Sequence, residues 1–124
     1  MARPGSVIGW LLDEGDREKL LRQFPPRYEK TVAHHVTLKT DAEKDPLPPQ
    51  VKAEVVGRTD DGKGVEAMVV TIDGTADRPD GSTYHITWSL ADGRRARESN
   101  DVLKERGWEE LDHPIPVRLE PGRF

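Results

Sequence analysis

Residues 33–38 read Ala-His-His-Val-Thr-Leu and residues 84–89 read Tyr-His-Ile-Thr-Trp-Ser, so the pattern His-x-Thr occurs twice in this chain. Each copy lies in a short run of apolar and β-branched residues, which is typical of a β-strand. Residues two apart in a strand point to the same face of the sheet. Each strand is therefore expected to offer an imidazole and a hydroxyl from one face and to bury hydrocarbon on the other.

Strict alternation predicts the full membership of each face. The polar faces are predicted to carry His35, Thr37 and Lys39 on the first strand and His85, Thr87 and Ser89 on the second. The apolar faces are predicted to carry Val36 and Leu38 on the first strand and Ile86, Trp88 and Leu90 on the second. His34 falls on the apolar face, so we expect it to be buried or to cap the strand.

The paired motifs resemble those of the two-histidine (2H) phosphoesterase superfamily, in which each His-x-Thr is followed by a hydrophobic residue, as it is here by Leu38 and Trp88. That superfamily includes RNA cyclic phosphodiesterases and the phosphodiesterase domain of fungal tRNA ligases. Ser99-Asn100 followed by Leu103 is similar to the segment after the second motif in RNA-repair-like members. The resemblance runs from about Val7 to Trp108, with the two histidines closer in sequence than in many larger relatives.

The resemblance implies a single α+β domain over residues 1–124. Its fold would be compact and two-lobed, with antiparallel sheets lining a central groove and about two helices outside. It also implies a phosphodiesterase that opens 2′,3′-cyclic phosphates, at RNA ends or on nucleotides, to 2′-phosphates. Because this family works without a metal or other cofactor, none is expected here.

Two imidazoles and two hydroxyls are sufficient for this reaction. Histidine titrates near pH 6.5, so one ring can take a proton from water while the other protonates the leaving oxygen. Each well-placed proton transfer accelerates a reaction by about 10²–10⁴-fold. The threonine hydroxyls would donate hydrogen bonds to the nonbridging phosphate oxygens. We therefore predict His35, Thr37, His85 and Thr87 as the catalytic residues.

Further side chains are candidates for substrate binding: Lys39, Tyr84, Ser89, Arg94, Arg95 and Arg97. Lys39 is equally explained as a solvated lysine at a strand end. The arginines are expected to follow an RNA backbone or to pair with Glu98 and Asp101, since exposed ion pairs are common. Tyr84, like Trp10, would stack a base or lie in the core. A zinc site is not expected, because the adjacent His34 and His35 point to opposite faces and His113 is predicted in a loop.

Composition narrows the class of protein. The chain has 124 residues, of which 34% are apolar and 34% charged, with no cysteine and a net charge of −4. The negative charge argues against a protein that coats nucleic acid through phosphate neutralisation. A membrane span needs about 20 apolar residues in a row, and no such run occurs. We therefore expect a cytoplasmic monomer that does not enter membranes, acting on RNA ends or cyclic nucleotides.

Helices and strands are predicted from periodicity, caps and turn residues. Strands are expected over Ser6–Leu12, Thr31–Thr40, Val51–Arg58, Val65–Ile72, Ser82–Leu90 and Ile115–Leu119, the last at a sheet edge because of its prolines. Helices are expected over Glu14–Phe24, capped by Asp13, and over Ser99–Arg106, capped by Ser99 or Asn100 and ended by Gly107. The segment 59–64 predicts a hairpin turn, and Asp41–Gln50 and Asp73–Gly81 predict loops.

Two alternatives stay open from the sequence. The same histidines, set in a deeper pocket, would suit cleavage of cyclic oligonucleotide signals. A protein of another class, a non-catalytic module that binds RNA ends, would use the groove to hold phosphate without turnover. The intact histidine pair argues against that module, because binding alone does not require two groups that titrate near neutrality.

Overall fold

One curled antiparallel sheet and two helices make up the fold. The structure is a computed structural model that describes residues 5–124. Its elements in chain order are β1 (Ile8–Leu12), α1 (Glu14–Gln23), β2 (Lys30–Thr31), β3 (His35–Lys39), β4 (Ala53–Asp60), β5 (Val65–Ile72), β6 (His85–Leu90), α2 (Glu98–Arg106), β7 (Glu109–Val117) and β8 (Leu119–Arg123). The predicted α+β class, with antiparallel strands and two helices, is confirmed.

The strand order explains the curl of the sheet. The order is β7-β4-β5-β6-β3-β1-β8, with the short β2 also paired to β6. β7 and β8 stand at opposite ends of this order, yet Arg118 alone connects them in the chain. One residue spans only about 3.5 Å, so the two ends of the sheet come together at Arg118. The sheet is therefore a half-barrel, and its motif strands β3 and β6 are neighbours near its middle.

The main core lies on the inner face of this half-barrel. Val36, Ile86 and Trp88 from the motif strands are fully buried there, as the alternation predicts. Trp10 packs edge-on against Tyr84, with ring centroids 6.0 Å apart. The hydrocarbon faces of both motif strands thus supply the centre of the core.

The helices cover opposite faces of the sheet. In α1, the Asp13 carboxylate accepts a hydrogen bond from the Asp16 amide at 3.0 Å, which confirms the predicted cap. Leu20 and Phe24 join the main core, and the Trp88 indole donates to the Phe24 carbonyl at 2.9 Å. α2 places Val102 in a second, smaller cluster with residues of β5 and β6. In residues 5–124 there is no helix both long and apolar enough to cross a membrane.

Three predicted elements differ from the structure. The strand predicted over Thr31–Thr40 divides into β2 and β3, because Ala33 adopts a left-handed conformation with φ of 44°. The single last strand is two strands, β7 and β8, and β7 begins in a charged segment whose edge position needs no apolar face. Neither Ser99 nor Asn100 caps α2, since the cap position is Arg97 and Ser99 lies inside the helix. Gly107 ends that helix as predicted, with φ of 68°.

Candidate active site

The pairing of β3 with β6 brings the two motifs side by side. Val36 is the direct antiparallel partner of Ile86. In an antiparallel pair, the residue after one partner lies across from the residue before the other. This register sets Thr37 across from His85. On the other side of that pair the Thr87 carbonyl accepts from the Ala33 amide at 2.9 Å, so His34 and His35 are extra residues between the two pairings. We call His35, Thr37, His85 and Thr87, which lie on the face opposite the main core, the motif quartet.

A β-bulge comes after the threonine in both motifs, and it changes the face of the next residues. On β3 the pairing with β1 passes from Thr37 to Lys39, so Leu38 is the extra residue. On β6 the pairing with β5 passes from Thr87 to Ser89, so Trp88 is the extra residue. Strict alternation therefore fails beyond each threonine, and the prediction that Lys39 and Ser89 share the faces of the motif histidines is wrong.

The bulge removes Ser89 and Leu90 from their predicted surroundings. Ser89 is fully buried and its hydroxyl donates to the Glu66 carboxylate at 2.7 Å, so it is not available to a substrate. Leu90 lies in the smaller cluster beside α2, and not with Ile86 and Trp88. Lys39 is exposed at the end of β3, where it forms an ion pair with Asp45 at 2.9 Å.

His35 is held between two other rings. Its Nδ1 lies 2.9 Å from Nδ1 of His34, and its ring centroid is 4.4 Å from that of Phe124. Only one of two facing imidazole nitrogens can carry the shared hydrogen, so the pair resists a second proton. Burial and the positive charges that His34 and His85 can carry lower the pKa of His35 to about 4.

His85 has a fixed tautomer. Its Nδ1 lies 2.9 Å from the Thr83 carbonyl, which can only accept, so Nδ1 carries the hydrogen in the neutral ring and Nε2 presents its lone pair. Burial lowers the pKa of His85, and the Arg78 guanidinium acts in the same direction. The Thr83 carbonyl and the Asp80 carboxylate act in the opposite direction, but they do not prevail.

The two threonines of the quartet have different surroundings. Thr37 is half-buried, and its hydroxyl forms no hydrogen bond with another residue in the range 5–124. Thr87 is buried, with its hydroxyl 2.9 Å from the Ser99 hydroxyl and 3.3 Å from the Ala96 carbonyl. Thr37 is therefore ready to donate to a ligand, whereas Thr87 already holds the start of α2 against the sheet.

The arginines that come after β6 divide into two groups. Arg94 is partly buried and is held by Asp61 at 2.9 Å and Glu98 at 3.1 Å. This pairing role was expected, although Asp61 takes the place predicted for Asp101. Arg95 and Arg97 are exposed and line a shallow cavity of about 540 Å³ beside α2. Only these two remain available to follow an RNA chain.

Tyr84 is 5% exposed and packs in the core against Trp10, which is one of its two predicted places, so it cannot stack a base. Two histidines lie elsewhere than predicted. His34 is exposed, and not buried, because the left-handed Ala33 interrupts the alternation before the strand begins. His113 lies exposed within β7 and not in a loop.

Two residues near the quartet were missed by sequence reasoning. Phe124 reaches His35 because β8 pairs with β1, a long-range contact that local patterns cannot indicate. Arg78 lies in the loop before β6, and its side chain is only 8% exposed. The surrounding segment Asp77–Gly81 is rich in turn residues, which correctly suggests a loop but gives no sign that its arginine is buried.

No cluster of three or more His, Asp or Glu side chains that could hold a metal ion occurs in the part of the chain that the structure describes. Comparison of the chain with protein-family models, curated proteins and solved structures finds no match. Function must therefore be argued from the geometry of the motif quartet.

Proposed function

We propose that this protein is a metal-independent phosphodiesterase of the two-histidine type, which opens 2′,3′-cyclic phosphates on RNA ends or nucleotides. The observation that carries the proposal is the Val36–Ile86 register, which places both His-x-Thr motifs next to each other on one face. Two imidazoles and at least one unengaged hydroxyl then lie on neighbouring strands of the sheet.

The protonation states suit this chemistry once a phosphate is bound. With lowered pKa values, both His35 and His85 are uncharged at neutral pH in the free protein. An anionic phosphodiester between them favours imidazolium, because an opposite charge nearby stabilises the charged form. One ring then donates a proton to the leaving oxygen while the other accepts one from the attacking water. Thr37 donates to a nonbridging oxygen, where negative charge develops.

The experiment is a turnover assay of the full chain in EDTA. Substrates are the four 2′,3′-cyclic mononucleotides and an oligonucleotide that ends in a cyclic phosphate. We expect ring opening to the 2′-phosphate, lowered by about 10²–10⁴-fold in His35→Ala or His85→Ala. His113→Ala is the matched control, since this histidine is exposed on β7, and it should be fully active.

Several results would contradict the proposal. They are absence of product from every substrate, equal activity in the two motif variants and the control, and a loss in EDTA that zinc or manganese restores. The last would place the protein in a different reaction class.

One observation favours a second candidate, a module that binds RNA ends without turnover. Because the pKa values of both histidines are lowered, neither is an imidazolium at neutral pH in the free protein, and the quartet then has no general acid. Tight binding of the cyclic-phosphate oligonucleotide by the wild-type chain, with no product, would support this candidate over the enzyme.

A further inference from the structure

Arg78 is a buried arginine whose hydrogen bonds are incomplete. It lies in the loop between β5 and β6, and its guanidinium pairs with the Asp80 carboxylate at 2.9 Å. Its Nε is buried and has no hydrogen-bond partner among residues 5–124. Leaving a buried donor unpaired costs about 1–3 kcal/mol, more for a charged group. Such a group is expected to have a partner that the protein itself does not supply.

The loop around Arg78 is well ordered by its own hydrogen bonds. The Arg78 amide donates to the Ser82 carbonyl, and the Arg78 carbonyl accepts from the Gly81 amide, both at 2.9 Å. Asp77 and Thr83 form an antiparallel bridge just outside this turn. The guanidinium is therefore presented from a closed turn that leads directly into the second motif strand.

The charge of Arg78 acts on the motif quartet. The turn that carries Arg78 leads directly into β6, whose first residue is His85, and the guanidinium contributes to the lowered pKa of that imidazole. His85 is across from Thr37, so Arg78 lies at the Thr37–His85 end of the quartet and not at the end where α2 begins.

A cavity of about 390 Å³ lies between the Arg78 turn and the segment of β3 that follows Thr37. It is lined by Leu38, Lys39, Thr40, Arg78, Pro79 and Asp80. This volume lies within the usual range for small-ligand sites. Lys39 places a second cationic group at the rim, where its exposed ammonium pairs with Asp45 at 2.9 Å, so the cavity combines a buried guanidinium with an exposed ammonium.

We propose that Arg78, with Lys39 at the rim, binds a second phosphate group of the substrate, the phosphodiester next to the reacting one. This inference rests on the proposed function, and it favours an RNA end over a cyclic mononucleotide. A guanidinium has five donors, and Nη2, which holds Asp80, carries two of them; Nε and the second hydrogen of Nη2 form the edge that can hold a phosphate while Asp80 keeps the first. Asp80 opposes the anion and limits its affinity.

Binding measurements by titration calorimetry in a His35→Ala background test this inference without consuming substrate. The probes are a 2′,3′-cyclic mononucleotide, a dinucleotide with the same cyclic end, and inorganic phosphate. We expect the dinucleotide to bind at least tenfold more tightly than the mononucleotide. Arg78→Gln should abolish that preference, and Arg78→Lys should retain part of it. Arg22→Gln, an exposed arginine of α1, is the matched control and should change nothing.

Two further variants keep the proposal open to contradiction if Arg78→Gln does not fold. Asp80→Asn removes the competing carboxylate and should tighten the binding of the dinucleotide and of inorganic phosphate severalfold. Lys39→Gln, at an exposed position, should weaken the binding of the dinucleotide a fewfold. Unchanged or weaker binding in Asp80→Asn would overturn the proposal, as would a folded Arg78→Gln that keeps the dinucleotide preference.

Failure of this inference is distinguishable from failure of the proposed function. Turnover that depends on both histidines, with no effect of Arg78 on the dinucleotide preference, removes the second phosphate site alone. If the dinucleotide preference depends on Arg78 but the wild-type protein yields no product, the second phosphate site is supported and the phosphodiesterase proposal is contradicted.

Discussion

The two His-x-Thr strands share a pattern but differ in their surroundings. Both motifs begin their strands, and both strands are paired on both sides. On β3 the motif follows the exposed His34 and its threonine is half-buried and unengaged, whereas on β6 the threonine is buried against α2. The comparison teaches that one tripeptide can present the same two groups while its neighbours decide which of them is accessible.

The largest expected effect is a loss of turnover that is similar on the two strands. His35→Ala and His85→Ala should each lower kcat by about 10²–10⁴-fold, because each removes one proton transfer. Circular dichroism should show both variants folded. A much smaller loss in one of them would mean that only one strand carries the chemistry, which would end the functional equivalence of the two motifs.

The free energy of unfolding should depend on pH through His35, because the pKa of this histidine is lowered in the folded protein. The pKa of its imidazole is about 4 in the folded protein and about 6.5 when unfolded, so the unfolded state binds the extra proton between these values. The free energy of unfolding should therefore fall as pH drops from about 6.5 to about 4. For a partly exposed group we expect a loss on the order of 1–3 kcal/mol.

Urea unfolding at pH 7 and pH 4.5 measures this loss. His35→Gln should lose less stability than wild type over the same interval, because the substituted side chain does not titrate. The group near it that can still contribute is His85, whose pKa is also lowered by burial. An identical loss in wild type and His35→Gln would show that the His35 pKa is not lowered.

The two threonines should separate activity from stability. Thr37→Val should lower turnover and leave the free energy of unfolding nearly unchanged, since its hydroxyl bonds no other described residue. Thr87→Val should destabilise the protein by about 1–2 kcal/mol, because it leaves the buried Ser99 hydroxyl without its partner. Denaturant unfolding and turnover kinetics on the same samples test both expectations. A loss of stability in Thr37→Val, with none in Thr87→Val, would contradict the contact between Thr87 and Ser99 of α2.

The smallest effects are expected from the arginines after β6. Replacing Arg95 and Arg97 together with Gln should raise KM a fewfold for a cyclic-phosphate oligonucleotide and flatten its salt dependence by about one unit of slope. KM for a cyclic mononucleotide should not change. Arg94→Gln should instead lower stability, because Arg94 is held by Asp61 and Glu98. Equal effects of the double variant on both substrates would assign Arg95 and Arg97 to the pocket or the fold.

Local patterns predicted the elements that depend on near neighbours in the chain. Asp13 caps α1, Gly107 ends α2, and the Asp60 and Asp61 carboxylates accept amide hydrogen bonds within the turn of the β4–β5 hairpin. These features rest on hydrogen bonds and backbone conformations spanning a few residues. The same short range explains why alternation predicted the inward positions of Val36 and Ile86.

Long-range pairing decided the rest. The sequence alone determined that each motif offers an imidazole and a hydroxyl from one face of a strand, because the backbone geometry of a strand imposes a period of two. Only the tertiary structure decided that the two strands are neighbours, that a bulge after each threonine changes the faces of Lys39 and Ser89, and that Arg78 is buried in the turn before His85. Register, bulges and burial arise from contacts between residues distant in the chain, and no local pattern encodes those contacts.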